Sequence, residues 1–455
     1  MKKHTAWAGV RADSARRLVG AGLAIAAALA GTAGCADDEV APLTPTGGGF
    51  DDAASDAGSD AAGEAAGDAA DAQADAAADA VDATDATDGA APTSWALFVA
   101  SDFVTNSEVA AVDVTAGALG GRASFADGDT IVYGSGHRGF ALERTRGRVS
   151  VLGATTPWTV DRTIDLAASD DAGVGGNPYA VVVGAGAKAY VVRYAKNAVD
   201  VVDAATGAVT GSVDLAAELD GDPDGLVDAF DAAYDPTTQR LWVVLQRIDQ
   251  TEFGPGPDYV GACAARLPRV VAIDTTSDTL VDLNGAAAGT AWELVGANPN
   301  ALVADFAHGK LWVADAGCWV AAGDAGTGRD RRGVEALDLT SGAAGFVWQT
   351  TDLDRVSGLI VVGAGSAFVG TGYPPAWHPW DMTSSPIGAA DVDVPTQPIA
   401  DGAGALLGLA SSPDGDGGTR LDAVRYDPTN HTTTTVATGV FSSSALTAVS
   451  SAMVR

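Results

Sequence analysis

The chain has 455 residues, enough for a large core, and carries 26 Lys and Arg against 59 Asp and Glu. A formal net charge of -33 leaves no basic face for nucleic acid, so that class of partner is excluded. Five histidines and three cysteines leave little for His- or Cys-rich metal chemistry, while 57 glycines suit a β-rich domain with many tight turns.

The chain opens with a targeting segment, residues 1–34. Lys2, Lys3, Arg11, Arg16 and Arg17 form a basic region, and "LVGAGLAIAAALAGTAG" after it is apolar but too short for a good transmembrane helix. The stretch ends in "TAGC", with small residues before Cys35. This resembles the lipobox of bacterial lipoproteins, with Thr32 where the family usually has Leu. The resemblance implies diacylation of the Cys35 thiol and a lipid-anchored protein of the cell envelope, in the outer membrane and facing the periplasm or the surface. Residues 35–92 then form an Ala- and Asp-rich linker. From Ala36 to Ala91 there are fifteen Asp or Glu and no Lys or Arg. Such a segment cannot bury enough apolar surface to offset its ordering entropy, and its like charges would align on a helix. It is expected to be a disordered, self-repelling spacer.

From residue 93 to the end the texture changes to short β runs separated by turn residues. The runs recur as "VAAVDVTAGAL" (109–119), "AVDVVDAATGAV" (198–209), "RVVAIDTTSDTL" (269–280), "GVEALDLTSGAA" (333–344), "WHPWDMTSSPI" (377–387) and "LDAVRYDPTNHT" (421–432). Each is a strand ending in Asp (113, 203, 274, 338, 381 or 427), then a turn rich in Thr, Ser and Gly. "RVSVLGATTPW" (148–158) is a degenerate seventh copy with Gly153 at the marker. A hairpin precedes each copy, as in "YAVVVGAGAKAYVVRY" (179–194). The repeat is therefore four strands, a to d, at the period of a β-propeller blade. The expected fold is all-β, a seven-bladed propeller of four-stranded blades. "SALTAVSSAMVR" at the C-terminus supplies strand a, and "SWALFVASD" after the linker supplies strand b, of one closing blade. The pattern resembles the YVTN/NHL-like propellers over residues 95–455.

"LDGDPDGLVDAFD" (219–231) falls in the loop between blades 3 and 4, on the same face as the b–c loops. Its spacing resembles EF-hand-type calcium loops, with Pro223 at the fourth position and Asp in place of the final Glu. The resemblance implies a structural calcium held by Asp220, Asp222, Asp224, the Leu226 carbonyl, Asp228 and Asp231. Cys263 and Cys318 fall in long b–c insertions of blades 4 and 5. Adjacent blades, one edge and an exporting signal predict a disulfide between them. On the same face the expected recognition surface comprises Arg193, Tyr194, Gln246, Arg247, Phe253, Tyr259, Trp319, Tyr373 and Trp377. Neither a G-x-S-x-G elbow nor an H-E-x-x-H motif occurs. The reading is an envelope-anchored, monomeric binding or scaffolding module for an envelope protein or glycan. The alternative is a calcium-dependent, lactonase-like propeller hydrolase or lyase.

Overall fold

The computed structural model describes residues 94–153, 158–167, 176–186, 188–222, 224–248, 266–285, 290–317, 331–350, 356–372, 374–384, 386–415, 418–443 and 446–454. Within them the chain forms seven antiparallel sheets arranged as the blades of a β-propeller. Blade 1 is β1 (Trp95–Ser101), β2 (Ser107–Asp113) and β3 (Ala118–Phe125), completed by the last strand, β28 (Thr447–Val454). Blade 2 holds β4 (Thr130–Ser135), β5 (Arg138–Glu143), β6 (Arg148–Leu152) and β7 (Val160–Asp165). Blade 3 holds β8 (Pro178–Val183), β9 (Lys188–Arg193), β10 (Ala198–Asp203) and β11 (Val209–Asp214). Blade 4 holds β12 (Ala229–Asp235), β13 (Arg240–Leu245), β14 (Arg269–Asp274) and β15 (Thr279–Val281), with the short β16 (Trp292–Glu293) also on β14. Blade 5 holds β17 (Pro299–Asp305), β18 (Lys310–Asp315), β19 (Arg332–Asp338) and β20 (Ala344–Thr350). Blade 6 holds β21 (Val356–Gly363), β22 (Ser366–Thr371) and β23 (Ala376–Trp380). Blade 7 holds β24 (Thr396–Ala400), β25 (Leu406–Pro413), β26 (Thr419–Asp427) and β27 (Thr432–Ala437).

The first strand of each blade is innermost. β28, β4, β8, β12, β17, β21 and β24 each lie against their two neighbours in that order, and β24 meets β28, so the ring is closed. Middle strands such as β1 and β9 are buried nearly throughout, whereas the outermost β7 and β27 are largely exposed. The core is divided in the same way, with one apolar cluster at each of the seven blade interfaces. Ala180, Val182 and Val201 of blade 3, for example, pack on Leu241, Val243 and Ile273 of blade 4. Area removed from water between blades is thus the main stabilising term.

The recurring Asp is a turn device. The Oδ1 of Asp338 accepts the Thr340 and Ser341 amides at 3.0 and 2.8 Å, and Asp203 does the same for Ala205 and Thr206. These amide donors hold the Asp203, Asp338 and Asp427 carboxyls below their ordinary range. Four residues on, Gly117, Gly207 and Gly342 take a left-handed backbone (φ 65–77°), where Gly carries no steric penalty.

Blade 6 departs from the expected four strands. Residues 386–395 run beside β23 with two backbone bonds, Gly388 N–H to Pro379 O and Asp391 N–H to Trp377 O, both 2.8–2.9 Å. The Pro379 carbonyl faces this segment, so its missing N–H lies on the same side and half the ladder cannot form.

Candidate functional site at the loop face

The b–c connections and the links between blades share one face. In blades 1, 2, 3, 6 and 7 the b–c connection is four or five residues, but in blade 4 it spans 246–268 and in blade 5 it spans 316–331. Two adjacent blades therefore carry the elaboration.

The acidic stretch lies at the foot of the blade 4 insertion, and three arginines lie among its carboxylates. Arg266 Nη1 is 2.8 Å from Asp222 Oδ2, and Arg266 Nη2 also donates to the Gly221 carbonyl. Arg269 is 3.1 Å from Glu218, 3.3 Å from Asp220 and 3.3 Å from Glu293. Arg247 Nη1 donates to Leu267 O at 3.0 Å, and its Nη2 is 3.8 Å from Asp220. Burial, then the nearby Arg269, pull the Arg247 guanidinium down from its ordinary range. Glu218, fully buried, also takes the amide and hydroxyl of Thr290 at 2.8 and 2.9 Å. Arg247 stands at the start of the insertion, Arg266 near its end and Arg269 just beyond it, so one acidic loop clamps both of its ends.

The residues of the expected calcium set have the following partners. The Asp222 side chain is fully buried against Arg266, Asp220 turns to Arg269, and Asp224 caps the Leu226 amide at 2.8 Å. Asp228 is buried with a left-handed backbone (φ 51°), and its Oδ2 accepts the Ile248 amide at 2.8 Å. Asp231 lies inside β12, in the ring of innermost strands. Among the described residues no three acidic, His or Cys side chains converge on a metal-sized gap. Three guanidinium groups stand among these carboxylates.

Four residues expected on the recognition surface are turned inward. Arg193 is fully buried and pairs with Asp200 at 2.8 Å. Tyr194 is buried against Tyr179, with ring centroids 5.2 Å apart. Gln246 donates to the Pro299 carbonyl, and Arg247 belongs to the clamp. Each sits where strand b ends, and the chain there packs between blades rather than projecting. Trp377 is partly buried and packs on the apolar cluster between blades 6 and 7. Phe253, Tyr259, Trp319 and Tyr373, together with Cys35, Cys263 and Cys318, lie outside the described residues.

A repeated polar pair, buried in all but blade 6, lies beneath this face and escaped the sequence reading. It joins the end of strand b to strand c: Ser150 to Glu143 (3.2 Å), Arg193 to Asp200 (2.8 Å), Thr371 to His378 (2.9 Å), and Asp315 beside Glu335. His378 Nδ1–H donates to Gly388 O at 2.9 Å, so Nε2 accepts the Thr371 hydroxyl. In blade 4 the corresponding residues are Leu245 and Val271, both buried. A seven-residue spacing in blades 2, 3 and 6 was the available signal.

No protein-family model matches the chain, and no curated protein matches it. Solved structures similar to it include a protein from Lactobacillus plantarum, at 12% identity, covering 80% of this chain and 100% of that one (TM-score 0.47). Apo AztD from Citrobacter koseri is 14% identical and covers 80% of this chain and 98% of that one (TM-score 0.39). Hydrazine synthase from Kuenenia stuttgartiensis is 13% identical and covers 75% and 94% (TM-score 0.44). The likeness is one of fold alone. In class, the chain is a seven-bladed β-propeller with one elaborated loop face.

Proposed function

We propose that this protein is a YVTN/NHL-like propeller lipoprotein, exported and anchored through Cys35. Residues 35–92 space the propeller from the membrane, and its loop face binds an envelope protein or glycan. One observation carries the reading: the two long insertions stand on adjacent blades and one face, and the foot of the first is held by Arg247, Arg266 and Arg269. Insertions on a rigid scaffold are where binding residues concentrate. The innermost strands, rich in Ala, Val, Gly and Ser, support binding over hydrolysis. A disulfide between Cys263 and Cys318 would tie the two insertions together.

The test uses the full chain in cells. Cys35→Ser should move it from the membrane to the soluble fraction. A variant with residues 249–265 replaced by a short Gly–Ser link should stay at the membrane and lose cross-linked envelope partners. Unchanged partitioning of Cys35→Ser removes the anchor. Unchanged cross-links in the loop variant remove the recognition face.

A further inference from the structure

We infer that His431 is a proton-operated latch on segment 386–395, the stretch that runs outside β23 in place of a fourth strand: the imidazolium holds the segment on blade 7, and the neutral ring holds it less firmly. The segment makes two backbone bonds to β23, and Ile387 and Val394 pack partly on the apolar clusters at either side of blade 6. Val392 is 91% exposed and adds nothing to its hold. The polar anchor lies on the next blade. Asp391, its carboxyl 7% exposed, accepts the Tyr426 hydroxyl of β26 on Oδ2, and the same oxygen lies 3.1 Å from His431 Nδ1. That nitrogen is also 2.9 Å from the Tyr426 oxygen. Three side chains thus close the seam between blades 6 and 7 around one carboxylate.

The backbone points to the same side chain. His431 stands four residues after Asp427, at the turn position where blades 1, 3 and 5 have Gly117, Gly207 and Gly342. Its backbone is left-handed as theirs is (φ 52°), a conformation that costs more for a residue with a Cβ than for glycine. Blade 4 makes the same exchange with Asp278 (φ 55°), whose carboxyl reaches blade 3, 2.6 Å from the Tyr190 hydroxyl and 2.8 Å from Lys188. Among the described turns of this type, the two that give up glycine are the two whose side chain binds across a seam.

The count of hydrogens decides which form of the ring closes the latch. The Tyr426 phenol keeps its hydrogen, because burial, then the bond to Asp391 and its charge, push it well above its ordinary range. That hydrogen goes to Asp391, so both atoms that face Nδ1 are acceptors, and Nδ1 must carry a hydrogen for the cluster to close. A neutral imidazole has one hydrogen for two nitrogens, and the tautomer with it on Nε2 turns a lone pair towards the carboxylate. The imidazolium always has Nδ1–H, and its bond to Asp391 is charge-assisted. The groups around the ring are mostly acidic. The segment carries Asp391 and Asp393, and β26 carries Tyr426 and Asp427, the latter bonded to Thr429 and Asn430 of the turn. Arg425 of β26 pairs with Asp401, and Arg420, near the other end of that strand, pairs with Asp422. β22, β24 and β27 have no charged side chain, and His378 of β23 is committed to Thr371 and the Gly388 carbonyl.

The experiment follows the segment in the full chain between pH 5 and 8.5. Amide exchange of residues 386–395, corrected for the intrinsic rate, should be slower at the acidic end by about two- to fivefold, the size of a partly exposed ion pair. The step should share its midpoint with the ring resonances of His431 and not with those of His378. His431→Gly removes the ring and relieves the left-handed backbone, so it tests the latch without straining the turn. Its segment should exchange fast at every pH, with no step. Asp391→Asn keeps an oxygen acceptor and loses the charge, and it should lose the step as well. Corrected exchange that does not change with pH in the natural chain, a step that follows His378, or a step that survives in either variant overturns the latch.

Discussion

Asp315 and Glu335 are two buried carboxyls side by side at the end of β18 and within β19. Glu335 accepts the Val295 and Gly296 amides at 2.8 and 3.3 Å. Asp315 lies over Gly296, where a Cβ would come within 2.1 Å of its carboxyl carbon, so no larger residue fits there. Burial pushes both carboxyls above the ordinary range, and the neighbouring acid pushes Asp315 further. The sign of the linkage follows. The folded chain keeps a proton that the unfolded chain releases above about pH 4. This contribution to stability is full below the unfolded carboxyl pKa and is lost as pH rises through the folded value. Asp315→Asn needs no proton, so it should be more stable than the natural chain at pH 8, by on the order of 1–3 kcal/mol, and the gap should close towards pH 5. Denaturant melts at the two pH values decide it; a variant weaker at both would mean that the charge is wanted. The polar pairs were only partly legible. Arg193 precedes Asp200 and Thr371 precedes His378 by one fixed spacing, but Arg193 reads as a surface residue because arginine at a strand end usually is. In blade 5 the insertion separates Asp315 from Glu335 and hides the spacing.

Individual elements were most legible where the physics is local. A strand ending in Asp, then Thr or Ser, then Gly, dictates its own turn, and Asp203, Asp338 and Asp427 form the turns that the repeat implies. The acidic stretch shows the limit. Its spacing asks for positive charge but does not say whether an ion or a side chain supplies it. Arg266 and Arg269, which pair with Asp222 and Asp220, come from the far end of a long insertion that no local pattern bridges. Breaking one partner of a buried ion pair typically costs about 3–5 kcal/mol, because the other charge is stranded. The Asp222 side chain is fully buried and that of Arg266 is 22% exposed, so the lower end of that range applies. Asp222→Ala and Arg266→Ala should each destabilise by about 3 kcal/mol. The double variant should lose clearly less than the sum. Chelator and millimolar calcium should give superimposable melts of the natural chain. A calcium-dependent melt, or strictly additive single losses, would return the stretch to an ion.

At the scale of the whole molecule, closure is the decisive feature. The sequence predicts it from two lone strands at opposite ends of the domain, and β28 pairs with β1 from Trp95 opposite Val454 to Ser101 opposite Thr447. β28 also lies against β4 and β24. It therefore completes a ladder and two blade interfaces at once: Ala452 and Val454 belong to the cluster between blades 1 and 2, while Ala448 and Met453 pack on the cluster between blades 1 and 7. Removing residues 446–455 would leave β1, an apolar strand buried along its whole length, as an open edge. Such an edge templates pairing with other chains. The truncated chain should melt less cooperatively, lose on the order of 4 kcal/mol or more, and form soluble oligomers on size-exclusion chromatography. A synthetic peptide of residues 446–455, added in excess, should restore the elution volume of the full chain and raise the melting temperature with peptide concentration, as expected for a ligand that binds only the folded state. The same peptide with Ala452 and Val454 changed to Asp should not, because two carboxylates would then enter the blade 1–2 interface unpaired. A truncated chain that elutes and melts like the full one would show that six blades and an open sheet suffice.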